Sequence, residues 1–229
     1  MITRFRNRTE AGRQLAEKLS HYAHRYDVVV LGLPRGGVPV AYEIAKALNA
    51  PLDICLVRKL GVPQHEELAM GAIAPGVRIL NQDVINWLKI SQPTIDDVAK
   101  TEQRELERRD RAYRTRRDPQ SGVIHDPPLD VKEKTVIIVD DGIATGSTLH
   151  AAISVLREQA PAAIVVAVPV APPSTYDALI NIVDDVVCIM TPDRLGSIGA
   201  WYDDFSQLDD DEVCRLLMRA RRLYAATSV

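Results

Sequence analysis

The 229 residues, 46% of them hydrophobic, allow one domain of ordinary or slightly large size with a full core, and a net charge of −3 excludes a general nucleic-acid surface. Cys55, Cys188 and Cys214 are far apart and the five histidines lack ligand spacing, which excludes a disulfide framework and a zinc site. Cys55 and Cys188 sit in apolar strand-like runs and read as buried thiols. Met1 to Arg13 is polar, and no apolar run approaches the ~20 residues that span a bilayer, so a soluble cytoplasmic protein with no membrane partner is expected.

Strand and helix patterns alternate along the chain. Residues 9–25 predict a helix with Thr9 as N-cap. Val28 to Leu33 is an apolar strand ended by Pro34-Arg35-Gly36-Gly37, and Val38 to Leu48 a helix. Leu52 to Val57 predicts a second strand, followed by Arg58-Lys59 and a flexible polar stretch that includes Glu66 and Glu67. Residues 81–130 interrupt the alternation. Within them, Asp96 to Asp118 predicts an exposed helix supported by Glu105–Arg109, Glu107–Arg111 and Asp110–Arg114 at four-residue spacing. Its arginines, Arg108, Arg109, Arg111, Arg114, Arg116 and Arg117, form either a solvated face or a lid or partner surface facing an anion. Asp118 to Pro128 reads as a loop or short hairpin. Strand patterns return at Val136 to Val139, Ala163 to Val170 and Val183 to Met190, with helices at Thr148 to Gln159, Ser174 to Asn181 and Asp209 to Tyr224. Continuous apolar strands linked by helices predict a buried parallel sheet.

The most informative stretch is 136–148, Val-Ile-Ile-Val-Asp-Asp-Gly-Ile-Ala-Thr-Gly-Ser-Thr. Two carboxylates, Asp140 and Asp141, stand at the carboxyl end of a strand, where open α/β sheets bind ligands. Carboxylates suit the donor hydroxyls of a sugar. The loop's backbone N–H groups, the hydroxyls of Thr145, Ser147 and Thr148, and the following helix N-terminus suit a phosphate. A sugar phosphate satisfies both. A nucleotide-hydrolase P-loop needs a Lys after its last Gly, and Gly146 is followed by Ser147. The plainer alternative is an ordinary strand-to-helix turn with acids near the helix start.

Four apolar residues, two acids and a Thr-Gly-x-Thr loop resemble the phosphoribosyl-diphosphate (PRPP) signature of the type I phosphoribosyltransferases. The resemblance implies a parallel sheet flanked by helices in a single domain over 1–229, with a helical insertion at 81–130 and a small hood at 190–208. It implies transfer of the ribose 5-phosphate of PRPP to a nitrogen heterocycle, such as a purine base, with loss of pyrophosphate. Asp140 and Asp141 would hold the ribose hydroxyls, and Ala144, Thr145, Gly146, Ser147 and Thr148 the 5-phosphate. Arg35, Gly36 and Gly37, in a loop that resembles the family's cis-peptide pyrophosphate loop, would take pyrophosphate with Arg58 and Lys59. Arg58-Lys59-Leu60-Gly61-Val62-Pro63 resembles the mobile-loop segment of the adenine branch. Mg2+ would bind mainly through PRPP, with Asp140 and Asp141 as its protein contacts, and a homodimer is the family expectation.

The departures concern the acceptor. The adenine branch has a Glu where this chain reads Leu68-Ala69-Met70-Gly71, with Glu66 or Glu67 as the substitute at hand. The 6-oxopurine branch has an Asp where Ala144 stands. Pro192 through Asp203 nevertheless resembles the 6-oxopurine hood. There Leu195 falls near the base-stacking position, and Trp201, Tyr202 and Phe205 either stack on a ring or pack in the core. A non-catalytic PRPP-binding regulator or sensor of the same fold is the alternative function; the missing acids favour it and Arg58 and Lys59 count against it.

Overall fold

The computed structural model describes residues 4–118 and 122–227, with the side chains of 66, 67 and 116–118 outside the description. In chain order the elements begin with α1 (Arg8–Lys18), a 3-10 turn (Ser20–Tyr22), β1 (Val28–Gly32), α2 (Gly37–Leu48) and β2 (Leu52–Ile54). There follow β3 (Arg58–Val62), β4 (His65–Ala74), β5 (Val77–Leu80), α3 (Gln82–Leu88), α4 (Gln92–Arg114), β6 (Thr115–Asp118) and β7 (Gly122–His125). The rest are β8 (Thr135–Val139), α5 (Ser147–Glu158), β9 (Ala163–Val170), α6 (Pro173–Ile180), β10 (Asp185–Met190), a 3-10 turn (Ile198–Trp201) and α7 (Asp210–Thr227). None of the described helices is long and apolar enough to cross a membrane.

The chain packs as two compact units, the first built from Met1–Cys55, Pro128–Thr145 and Pro161–Val229, the second from Leu56–Pro127 and Gly146–Ala160. The first unit holds a five-stranded sheet in the order β10-β9-β8-β1-β2, parallel throughout. Every residue of β1 and β8 is buried, as expected when both faces of a parallel strand are covered. That explains why these strands read as unbroken runs of Val, Ile and Leu rather than as alternating patterns. Helices α1, α2, α6 and α7 pack around the sheet. Helix α1 starts at a clean cap, where the Asn7 side chain accepts from the Glu10 N–H at 3.0 Å. It is shorter than the sequence pattern over 9–25, because the chain tightens into the 3-10 turn after Leu19.

The second unit contains the antiparallel sheet β3-β4-β5, a β6–β7 hairpin, and helices α3, α4 and α5. The stretch after Arg58-Lys59, expected to be a flexible polar segment, is instead a hairpin. Lys59 pairs with Ala72, Leu60 with Gly71 and Val62 with His65. Leu60 and Val62 alternate inward and are buried with Met70 and Ala72, so a period-2 apolar face holds the segment as strand. Helix α4 agrees with the expected charged helix, and all three four-residue ion pairs are formed: Glu105–Arg109 at 2.7 Å, Glu107–Arg111 at 3.8 Å and Asp110–Arg114 at 3.0 Å. Arg108 also bonds Glu105, at 2.8 Å. Arg108, Arg109, Arg111 and Arg114 are thus each engaged by a carboxylate of the same helix. The side chains of Arg116 and Arg117 fall outside the described ones.

The hydrogen bond from Arg108, reinforced by Arg109, holds the Glu105 carboxyl down at about 2. A carboxyl depressed on folding contributes stability that is present above its unfolded pKa of roughly 4.3 and is lost as pH falls toward 2. Glu105→Gln should therefore leave the melting temperature at pH 3 closer to wild type than at pH 7. Equal losses at both pH values in thermal melts would show that Glu105 does not contribute through its charge.

Among the described residues no cysteine is in a disulfide. Cys55 is buried just beyond β2, whereas Cys188 in β10 is only half-buried, a correction to the expectation that both are core thiols. Its Sγ donates to the Met190 carbonyl, and burial pushes the thiol up to about 11.

Candidate active site

The order of the parallel strands reverses between β1 and β8, with β2 added on one side and β9 and β10 on the other. Such a switch point leaves a crevice at the carboxyl ends of the two strands, because the loops leaving them diverge. The loop leaving β1 is Leu33-Pro34-Arg35-Gly36, and the loop leaving β8 begins at Asp140. The first loop, and the second as far as Thr145, belong to the first unit.

The Leu33 N–H donates to the Val139 carbonyl at 2.8 Å, which ties the first loop to the end of β8. The Pro34–Arg35 peptide is cis, the feature the resemblance anticipates in this loop. Arg35 is exposed. Gly37 opens α2 so close to β8 that a Cβ there would lie 2.4 Å from the Val139 carbonyl oxygen. Gly36 lies directly against the second acid: an added Cβ would sit 2.0 Å from Asp141 Oδ2. The glycines are thus explained by close approach, and what they approach is the strand carrying the carboxylates.

Asp140 Oδ1 accepts the Asp141 N–H at 2.9 Å. Burial, with the neighbouring Asp141 carboxylate, pushes the Asp140 pKa well up, while the Arg8 charge opposes that rise. Asp141 is buried and paired with Arg8, whose Nε lies 2.8 Å from Oδ2, and each side chain is 11% exposed. Further along the loop, the Ile143 N–H donates to the Val170 carbonyl at 2.9 Å, and Thr175 Oγ1 donates to the Ala144 carbonyl at 2.8 Å. These bonds leave Ala144 and Thr145 exposed at the rim.

Arg8 is the member of this cluster that the sequence reading did not single out. One signal existed. Arg8 is the first residue of α1, where the helix dipole disfavours a cation, so an arginine there calls for a carboxylate partner. The sequence could not say that the partner lies 133 positions away.

The hood segment is joined to the chain's early residues. Phe5 bridges Tyr202, and the Phe5 N–H donates to the Trp201 carbonyl while the Asp203 N–H donates to the Phe5 carbonyl, at 2.9 and 2.8 Å. Tyr202 is 4% exposed, packs against Phe5 and Phe205, and donates its hydroxyl to the Asp141 carbonyl at 2.5 Å. It is therefore a packing and tethering residue, which corrects its candidacy as a ring-stacking surface. Burial, together with the Asp141 charge, pushes the phenol's pKa far up, so it stays a donor. Trp201 is half-buried and its indole N–H donates to the Leu195 carbonyl at 2.8 Å, which brings these two candidates together.

The remaining candidates lie in the second unit. Arg58, at the start of β3, is engaged by Glu102 of α4, with NH2 2.6 Å from Oε2. Lys59 follows it in the strand and is half-buried. Gly146, in the left-handed conformation at φ 73°, caps α5, and Ser147 and Thr148 form that helix's first turn. The side chain of Glu66 lies outside the described ones.

A family model described as the phosphoribosyl transferase domain matches residues 1–203. The chain belongs to the type I phosphoribosyltransferase family. It is 45% identical over 222 residues to the provisionally named phosphoribosyl transferase Rv0571c of Mycobacterium tuberculosis strain H37Rv, and to the same degree to its counterpart MT0597 in strain CDC 1551. That alignment covers 96% of this chain and 48% of each relative, so the chain spans about half the length of the curated relatives it matches. Among solved structures it is similar to TT1426 of Thermus thermophilus, with 37% identity, a TM-score of 0.83, and coverage of 94% of this chain and 98% of that one.

Proposed function

We propose that the chain transfers the ribose 5-phosphate of PRPP to a nitrogen heterocycle with release of pyrophosphate. The observation that carries this reading is the pair Asp140–Asp141 at the sheet's switch point, with Asp141 packed against Gly36 of the loop that leaves β1. In this reading the two carboxylates take the ribose 2- and 3-hydroxyls. Their negative charge supports the sugar as carbon 1 gains positive character and the bond to pyrophosphate breaks. The backbone of Arg35 to Gly37 and the Arg35 guanidinium hold the leaving pyrophosphate. The loop from Ala144 to Thr148 grips the 5-phosphate through N–H groups and hydroxyls at the start of α5. Arg58 and Lys59 keep the pyrophosphate-binding role that the family resemblance implies for them.

Magnesium suits these residues as a substrate-borne ion. Two adjacent carboxylates offer it a contact, and Mg2+ retains waters and substrate oxygens rather than requiring a full protein cage. Bound there it would add Lewis-acid charge stabilisation, with Asp140 and Asp141 as the residues within its reach. The acceptor is a heterocycle read without the acids of the purine branches, since Ala69 and Ala144 stand in their places. That same absence favours, as a second reading, a PRPP-binding sensor that does not turn over. The cytoplasm is the compartment we assign.

The test is pyrophosphate release from PRPP and Mg2+ over a panel of purines, pyrimidines and other nitrogen heterocycles, with PRPP binding by calorimetry alongside. Release with one acceptor is the expected result. Binding without release for any acceptor favours the sensor, and absence of PRPP binding overturns both.

A further inference from the structure

We infer that Arg8 is a positioning residue for Asp141, and that it joins the ribose acid to the hood. The inference rests on the PRPP reading above and adds a residue to it. Arg8 is fixed from three directions. Its Nε donates to Asp141 Oδ2 at 2.8 Å, its NH1 donates to the Ser206 carbonyl at 2.9 Å, and its guanidinium lies 3.9 Å above the Phe205 ring. The planar guanidinium can satisfy a carboxylate, a carbonyl and an aromatic face together, which an ammonium cannot. Asp141 is also held through its backbone, since the Tyr202 hydroxyl donates to its carbonyl. Side chain and main chain of the same acid are thus both tied to residues 202–206.

One bond from Arg8 leaves acceptor capacity on the Asp141 carboxylate, because an ionised carboxylate has about four lone-pair sites. Arg8 therefore does not need to leave for ribose hydroxyls to arrive. It sets the rotation of the carboxylate and supplies a cation beside two adjacent acids. Gly36 also lies directly against this carboxylate, nearest the same Oδ2 that Arg8 engages. A residue that orients a binding group in this way typically contributes about 10–100-fold in affinity or activity when removed.

The experiment is a double-mutant cycle on PRPP affinity, by calorimetry with Mg2+ and no acceptor, using wild type, Arg8→Met, Asp141→Asn and the double variant, with circular dichroism as a fold control. Arg8→Met is expected to weaken PRPP binding about 10–100-fold. In the Asp141→Asn background the same change should add little, because the group through which Arg8 acts is already altered. A purely structural role would instead multiply the two losses, and that result overturns the inference. Arg8→Lys keeps a cation next to Asp141 and should bind PRPP with intermediate affinity; it also serves if Arg8→Met fails to fold. Wild-type affinity in Arg8→Lys and Arg8→Met removes Arg8 from the site while leaving the PRPP reading intact. Absence of PRPP binding by the wild-type chain removes that reading and this one with it.

Discussion

Asp141→Asn is expected to lower pyrophosphate release from PRPP by about 100-fold or more, the scale on which loss of one aimed electrostatic group slows an enzyme. The amide keeps the shape and loses the charge that faces the sugar. It also leaves Arg8 without its counter-ion, and both side chains of this pair are nearly buried. Removing one partner of a buried pair costs about 3–5 kcal/mol, so the variant should melt lower as well as react more slowly. Asp140→Asn separates the two effects. It retains an oxygen for the Asp141 N–H and leaves the Arg8–Asp141 pair in place. Its melting temperature should stay closer to wild type while turnover falls. Unchanged turnover in both folded variants would take the sugar-anchoring role away from these acids.

Gly36→Ala should be comparably damaging to function for a steric reason. Gly36 has φ −61° and ψ −35°, which alanine adopts without strain, so the backbone is no obstacle. The obstacle is Asp141, whose Oδ2 and Cγ would lie 2.0 and 2.4 Å from the new carbon. The carboxylate has to swing away, and its bond to Arg8 goes with it. A displacement of ~1 Å in a reacting group can cost about 100-fold in rate. Gly37→Ala makes the contrast, because its new carbon meets the Val139 carbonyl, part of the central strand's backbone. Overpacking of that kind costs about 1–3 kcal/mol or more and should appear first as a lower melting temperature. Kinetics and melts on the two variants decide the matter. If Gly36→Ala turns over like wild type, the close approach at Gly36 has no bearing on the reaction.

Much of this site was legible along the chain because its parts are local. The apolar run before Asp140 becomes β8, the run Val28 to Leu33 becomes β1, and Ala163 to Val170 is β9 residue for residue. Fully buried parallel strands leave a continuous apolar signal, and short loops of glycine and acid mark their ends. The sheet β3-β4-β5 was harder to see. Its strands carry Gly61, Ala69, Gly71, Ala72 and Ala74, which have weak strand preference, and the polar residues after Arg58-Lys59 read as a flexible stretch. What made these residues strand was pairing and a shared apolar face, neither of which a local pattern records. The neighbours Trp201 and Tyr202 show the same limit. Both are aromatic, and only the bridge to Phe5 decides that Tyr202 is the one sealed inside.

The bonds from Arg8 also bear on the order in which the molecule assembles. Its partners Asp141 and Ser206 are 133 and 198 positions away in sequence. Contacts between such distant points form against a loop-closure cost that rises with the logarithm of the separation, and they slow folding relative to local contacts. The acids can be in place at the end of β8 as soon as the sheet forms. The ring and carbonyl that hold the guanidinium over them come from residues synthesised some 60 positions later. A nascent chain that has not yet reached Ser206 therefore carries the acids of the site without the residues that hold the Arg8 guanidinium.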